Sequence, residues 1–355
     1  INNAKILRDL GYRVVFIDVA DNVDKDILKN FRAVEGFDCY SKKYPSGKEW
    51  AEYVTSIKDF EKVFEKYDNV KTVIAYNYQS GAFLKLKAFC KRHNIKLYAD
   101  CTEWYPKGKN PVKNIDTDLR MKHIQKNIDG VIAISRYLYD YYRAYTNTVL
   151  IPPLNDCEDE KWNLVQHQNN HLVFSYAGVP GKHKDKLNMI IEALDSIDFK
   201  KEYEFNIIGI AKEQYLGYYP EHEEILKRMG EKLNFHGRVS RGEVLKNLKK
   251  SDFSVFFRPD TIVSKAGFPT KYAEAVTCGV PVIANLTSNI GDYLKDETNG
   301  FVINGFSVSE IKKTFEKVFA LSEEELEKVK SYCRENSRMF HYKNFEKEMQ
   351  KLFER

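Results

Sequence analysis

From residue 12 onward, short apolar runs alternate with longer stretches in which apolar residues recur every three or four positions. That pattern predicts strands alternating with amphipathic helices, as in crossover-connected parallel sheets. After an opening helix at residues 2–10, strands are expected at 12–19 (YRVVFIDV), 71–76 (KTVIAY), 95–100 (IKLYAD), 130–135 (GVIAIS) and 148–152 (TVLIP), with helices at 57–67 and 80–93. The polar run DCEDEKWNLVQHQNN at 156–170 breaks the alternation and marks a domain boundary. A second series follows, with strands at 172–177, 203–208, 253–257 and 280–284 and helices at 185–194, 221–232, 242–249, 270–277 and 309–320. The last segment, 340–353, places Tyr342, Phe345, Met349 and Phe353 on one helical face. The reading is α/β: two doubly wound domains, 1–158 and 159–335, and a terminal segment at 336–355.

Composition narrows the class. The chain has 355 residues, enough for two cores, with 43% hydrophobic and 30% charged residues. A net charge of +5 is too mild and too dispersed to indicate nucleic acid, but it suits anionic substrates or an anionic membrane surface. The basic face of the 80–93 helix, Lys85, Lys87, Lys91 and Arg92, reads either as a solvated face or as a rest for lipid headgroups. No apolar run approaches the roughly 20 residues that span a bilayer. A cytoplasmic protein is expected, with peripheral contact at the inner membrane face as an extension. The six cysteines are scattered without a C-x-x-C pair and read as reduced thiols.

The most informative stretch is GFPTKYAEAVTCGVPVIAN, residues 267–285: a turn, a short helix and a buried strand. Unpaired amides at the helix start attract an anion, and Lys271 adds a full charge. Glu274, three residues on, projects from the same side and suits a ribose diol. The run P-x-K-x-x-E followed by A-x-x-C-G-V-P-V-I-A resembles the nucleotide-sugar motif of retaining glycosyltransferases of the GT-B fold, family four in particular. The resemblance implies two Rossmann-like domains facing a cleft, with the last helix crossing back onto the first domain. It also implies that Lys271 contacts the donor diphosphate and Glu274 the ribose. The family's first glutamate, eight residues before Glu274, is Ala266 here, and the strand and glycine-rich loop that open the family's first domain have no counterpart before Asn2.

Other segments fit the same resemblance. The loop from Gly178 to Asp185 follows a strand, and Gly178, Lys182 and Lys184 match the family's first phosphate-binding segment, although Val179 stands where a basic residue is usual. Arg258, after the strand at 253–257, could grip the diphosphate or lie on the surface. Gly237 and Arg238, in His236-Gly-Arg-Val-Ser240, resemble the segment that holds the base, while Ser240 also reads as a helix cap. In the first domain Asp100 and Glu103 follow a strand end, where open parallel sheets bind ligands, so they are candidate catalytic residues or simple helix caps. Ser135 reads as a cap. The triplets Asp24-Lys-Asp26 and Asp116-Thr-Asp118 read as helix-initiating acids rather than metal ligands, and no hydrolase or metal motif occurs.

The resemblance therefore implies a metal-independent, retaining transfer of a sugar from a nucleotide sugar to an acceptor hydroxyl, with no further cofactor. A UDP sugar is the first expectation for the donor, and a glycan or lipid-linked molecule for the acceptor. A nucleotide-sugar epimerase and a non-catalytic partner subunit of the same fold remain alternatives.

Overall fold

The computed structural model describes residues 1–164, 167–182, 184–198 and 201–354. The chain forms two compact units, one of Ile1–Pro152 with Phe345–Arg355, the other of Pro153–Asn344.

The first unit opens with helix α1 (Asn2–Asp9). Strands β1 (Val15–Ala20), β2 (Phe31–Val34) and β3 (Phe37–Lys43) make a three-stranded sheet in the order β1-β3-β2. The pair β2 and β3 is an antiparallel hairpin missed by the periodicity, closed by Glu35-Gly36, both at positive φ. That is the two-residue turn whose twist suits a hairpin. Strands β4 (Thr72–Tyr76), β5 (Lys96–Cys101), β6 (Gly130–Ala133) and β7 (Asn147–Leu150) form a parallel sheet in chain order. β6 is buried along its length, which explains its unbroken apolar reading. Helix α2 (Ser80–Arg92) buries Ala82, Phe83, Leu86, Phe89 and Cys90, while Lys85, Lys91 and Arg92 are exposed and Lys87 is half-buried. Helix α3 (Pro111–Leu119) runs into a π-helical turn, Arg120–Ile124.

The second unit holds β8 (Leu172–Ala177), β9 (Tyr203–Ile208), β10 (Leu233–Gly237), β11 (Phe253–Phe256), β12 (Val282–Ala284) and β13 (Gly300–Val302) in one parallel sheet ordered β10-β9-β8-β11-β12-β13. That order steps outward from β8 in one direction and then from β11 in the other, so it reverses between β8 and β11, the switch point where doubly wound sheets bind ligands. β8 and β11 are buried throughout, with Phe174 stacked on Phe253 at 5.9 Å and edge-on to Phe315 and Phe319. Among its helices are α4 (Leu187–Asp195), α5 (Arg241–Lys250), α6 (Ile262–Ala266), α7 (Thr270–Thr277), α8 (Val308–Ala320) and α9 (Glu323–Glu335). Periodicity missed β10 as an element, β13, α6 and α9; α9 nonetheless carries a capping box of Ser322 and Glu325.

The chain then returns to the first unit. The expected continuous helix is a 3-10 turn, Tyr342–Phe345, followed by α10 (Glu346–Gln350). Met349 and Leu352 are fully buried, and the Phe353 ring lies 5.5 Å from Tyr12 and 5.2 Å from Tyr98. Asn147 donates to the carbonyls of Lys351 and Leu352, fixing the end of the chain to β7.

Candidate functional site

The switch point of the second unit carries a buried charged cluster. β8 ends at Ala177, one residue before Gly178, and β11 ends two residues before Arg258, so both loops open at the same edge of the sheet. Asp185 is 1% exposed and stands at the centre. Its Oδ2 accepts from Lys271 Nζ at 2.6 Å and from the Tyr176 hydroxyl at 2.6 Å, and its Oδ1 lies 3.1 Å from Arg258 Nε. The Lys271 ammonium also sits 4.0 Å from the centre of the Tyr176 ring.

Sequence reasoning overlooked Asp185, placing it at the start of a helix over 185–194. α4 instead begins at Leu187, and Asp185 turns inward because two cations need a partner there. Burial alone would raise its carboxyl, but Lys271 and then Arg258 outweigh burial and hold it below its ordinary value. Burial pulls the Lys271 ammonium below its ordinary value against the opposing pull of Asp185. The Arg258 guanidinium, itself buried, is close to Asp185 without a hydrogen-bonding alignment, so its Nε and Nη1 have no acceptor. Asn285 holds the backbone at this point, accepting from Arg258 N–H at 2.9 Å and donating to its carbonyl at 2.7 Å. Two cations against one carboxylate leave a formal surplus of one positive charge, which suits an incoming anion.

Gly178 is part of this geometry. Its φ is +143°, and a Cβ there would lie 3.2 Å from Lys271 Nζ, so its missing side chain leaves room for the ammonium. Lys182 and Lys184 are exposed, and Lys184 is near enough for its charge to act on Lys271. His183, between them, lies outside the described residues. α7 has Pro269 as its N-cap with no side-chain cap; the Tyr272 amide donates to the Pro269 carbonyl at 2.9 Å, and the Thr270 and Lys271 amides open the helix.

Glu274, on α7, accepts from Arg241 at 2.8 Å. Arg241 opens α5, three residues after Arg238, so this pair sets the segment from Gly237 beside α7; sequence reasoning did not single out Arg241. Gly237 has φ +64°, its N–H donates to the Ile210 carbonyl and its carbonyl accepts from Gly209, while Arg238 is exposed. Ser240 caps α5 through the Glu243 amide. Ala266 is fully buried at the end of α6.

Asp100 and Glu103 lie in the first unit at the end of β5. Asp100 is half-buried and accepts from Asn3 at 3.1 Å, and burial, offset in part by that hydrogen bond, pushes its carboxyl up to about 6. Glu103 is exposed. Ser135 caps the following helix through the Leu138 amide. Asp116 accepts from Ser80 N–H, and Asp118 pairs with Lys107 and Lys122. All six cysteines are free thiols.

Asp156, Glu158 and His341 bring ligand-type atoms within 4.8 Å of one another. His341 Nδ1 accepts from the Cys157 amide at 3.1 Å, which puts the neutral ring's proton on Nε2, and Glu158 is engaged by Lys343 and Arg338. No imidazole lone pair is left to coordinate an ion. Among the described residues no helix is long and apolar enough to cross a membrane.

The family described as glycosyl transferases group 1 matches residues 159–338. No curated protein sequence matches the chain. Sucrose-phosphate synthase from Thermosynechococcus elongatus is similar in structure at a TM-score of 0.75 and 14% identity, over 99% of this chain and 90% of that one. A glycosyltransferase from Rickettsia africae gives 0.71 at 16% identity over 100% and 94%. HepE from Anabaena, solved with UDP, gives 0.68 at 14% over 96% and 99%. At these identities the structures establish a shared GT-B fold.

Proposed function

On the premise that this chain belongs to the group 1 glycosyl transferases, we propose that it moves a sugar from a nucleoside diphosphate sugar to an acceptor hydroxyl, with retention and without a metal. The observation that carries this reading is the buried cluster of Lys271, Arg258 and Asp185 at the switch point of the second unit. Its surplus positive charge and the uncapped amides of α7 offer a seat for the diphosphate and stabilise the charge that builds on it as the glycosidic bond breaks. In this reading Gly178, Lys182 and Lys184 serve the same diphosphate, and Glu274, paired with Arg241, takes the ribose hydroxyls near the main chain of Gly237 and Arg238. UDP is the favoured nucleotide, supported by the likeness to HepE solved with UDP. Asp100 and Glu103 are the proposed groups for orienting the acceptor hydroxyl or stabilising charge on the sugar ring. Acceptors are glycans or lipid-linked molecules, met on the cytoplasmic side of a membrane by peripheral contact.

A non-catalytic partner subunit is the second reading, favoured by Ala266 in the place of the family's glutamate. Calorimetry with UDP, GDP and ADP sugars, followed by release of free nucleoside diphosphate, separates the two. Donor-selective binding with slow hydrolysis supports transfer; a folded protein that binds a donor yet never turns it over, with any acceptor offered, supports the partner reading.

A further inference from the structure

The strands of the second unit's sheet are all parallel, so the connections that follow them open at a single edge. Four of these connections each present one large apolar side chain to solvent: Val179 after β8, Ile262 at the start of α6 after β11, Leu286 after β12 and Phe306 after β13, all between 39% and 54% exposed. The connections after β9 and β10 present none: Ile210 is buried, Val239 is half-buried, and Arg238 and Ser240 are the exposed side chains there. A single exposed apolar residue is ordinary, but four on the neighbouring strands β8, β11, β12 and β13 mark a surface with something to cover it.

Two of the four stand beside Arg258. The Phe306 ring stacks on Phe257, the buried residue before Arg258, at 4.8 Å between centres, and Leu286 follows Asn285, which brackets the Arg258 backbone. Polar side chains in the same connections are engaged: Asp260 pairs with Lys265 at 3.1 Å, Thr261 and Ser264 cap α6 together, and Ser307 caps α8. The Thr287 hydroxyl, next to Leu286, is sealed from solvent.

We propose that Ile262, Leu286 and Phe306, with Val179 beside them, form the sugar-facing wall of the donor site and select a sugar that carries a methyl group. This inference deepens the glycosyl-transfer reading and rests on it. Glu274 and Arg241 hold the nucleoside towards β10, and the cluster at the switch point between β8 and β11 holds the diphosphate. A donor stretched along the edge in that order carries its sugar on towards β11, β12 and β13. A methyl group against that wall takes apolar surface of both partners out of water, whereas a hydroxyl there loses water and gains no partner. The methyl belongs either to a 6-deoxyhexose or to an N-acetyl group, two sources of one chemistry.

Calorimetry with UDP, GDP and ADP first identifies the nucleoside diphosphate that binds. Its glucose, 6-deoxyglucose and N-acetylglucosamine conjugates are then titrated into the original protein and into Leu286→Asn/Ile262→Thr protein, each affinity read relative to the bare nucleoside diphosphate in the same protein. At least one methyl-bearing conjugate is expected to bind about fourfold or more tighter than the glucose conjugate, an advantage that disappears in the double variant. The conjugate that shows the advantage names the source of the methyl. Equal binding of all the conjugates, tightest binding of the glucose conjugate, or an advantage that survives both substitutions overturns the proposal. If the double variant does not melt cooperatively, Leu286→Asn alone replaces it, and an undiminished advantage there overturns the proposal equally. A folded protein that binds none of the nucleoside diphosphates overturns the transfer reading together with this one, whereas nucleotide binding without a preference for methyl overturns this one alone.

Discussion

Asp185 governs the site because its buried carboxylate holds two cations, Lys271 and Arg258, and its removal has consequences of two kinds. Asp185→Asn leaves Lys271 and Arg258 facing each other, and breaking such a buried pair costs on the order of 3 to 5 kcal/mol. Thermal melting is expected to fall accordingly and to be partly restored by pyrophosphate, which supplies the missing negative charge; a variant as stable as the original would show that the pairing is weak. The sign with pH follows from the depressed carboxyl. Its contribution is present above about pH 4 and lost as pH falls through its lower folded value. Asp100 has the opposite sign: its carboxyl is raised to about 6 in the folded state, so ionising it opposes folding above that pH. Asp100→Asn is expected to gain stability at pH 7 to 8, by at most about 3 kcal/mol, and to gain none at pH 4. Urea unfolding at both pH values checks this, and an equal effect at both would contradict it. Lys271, Arg258 and Glu274 were legible in the sequence because a charged residue after a strand or in a first helical turn carries positional meaning. Asp185 was in plain view but unread, since an acid near a helix start has the simpler explanation of a cap. Arg241 could not be found that way, because its contact with Glu274 joins two elements and is a property of packing.

At the scale of elements, strands that are buried on both faces announce themselves, and the bounds of β8 and β9 were readable to the residue. The short edge strand β13 spans three residues, and so few positions cannot establish a period. The hairpin of β2 and β3 escaped because Glu-Gly is a weaker turn signal than Asn-Gly. The loop after β8 depends on a close approach of two backbones. Gly209 has φ +110°, and a Cβ there would meet the Gly178 carbonyl oxygen at 2.3 Å, which no rotamer change relieves. Gly209→Ala is therefore expected to push the Gly178 loop away from Lys271. The variant should lose at least about 1 kcal/mol of stability and bind UDP more weakly, as read by melting and calorimetry. Gly178→Ala meets only the flexible end of Lys271, so it should weaken UDP binding more than it lowers the melting temperature.

Across the whole molecule, two α/β units and a returning C-terminal segment were legible from the alternation of strand and helix signals and from the polar break at 156–170. The boundary found by packing, between Pro152 and Pro153, falls earlier than a polar run can mark, because the chain joins the second unit's packing before its composition changes. The central claim is that the second unit recognises a nucleoside diphosphate through Lys271 and its partners. Calorimetry with UDP on the original protein and on Lys271→Ala tests this most directly. Loss of a charged hydrogen bond of about 1.5 to 3 kcal/mol predicts UDP binding weakened roughly 10- to 150-fold in a variant that still folds. Binding of UDP, GDP and ADP that is undetectable in the original protein, or unchanged by the substitution, would contradict the claim.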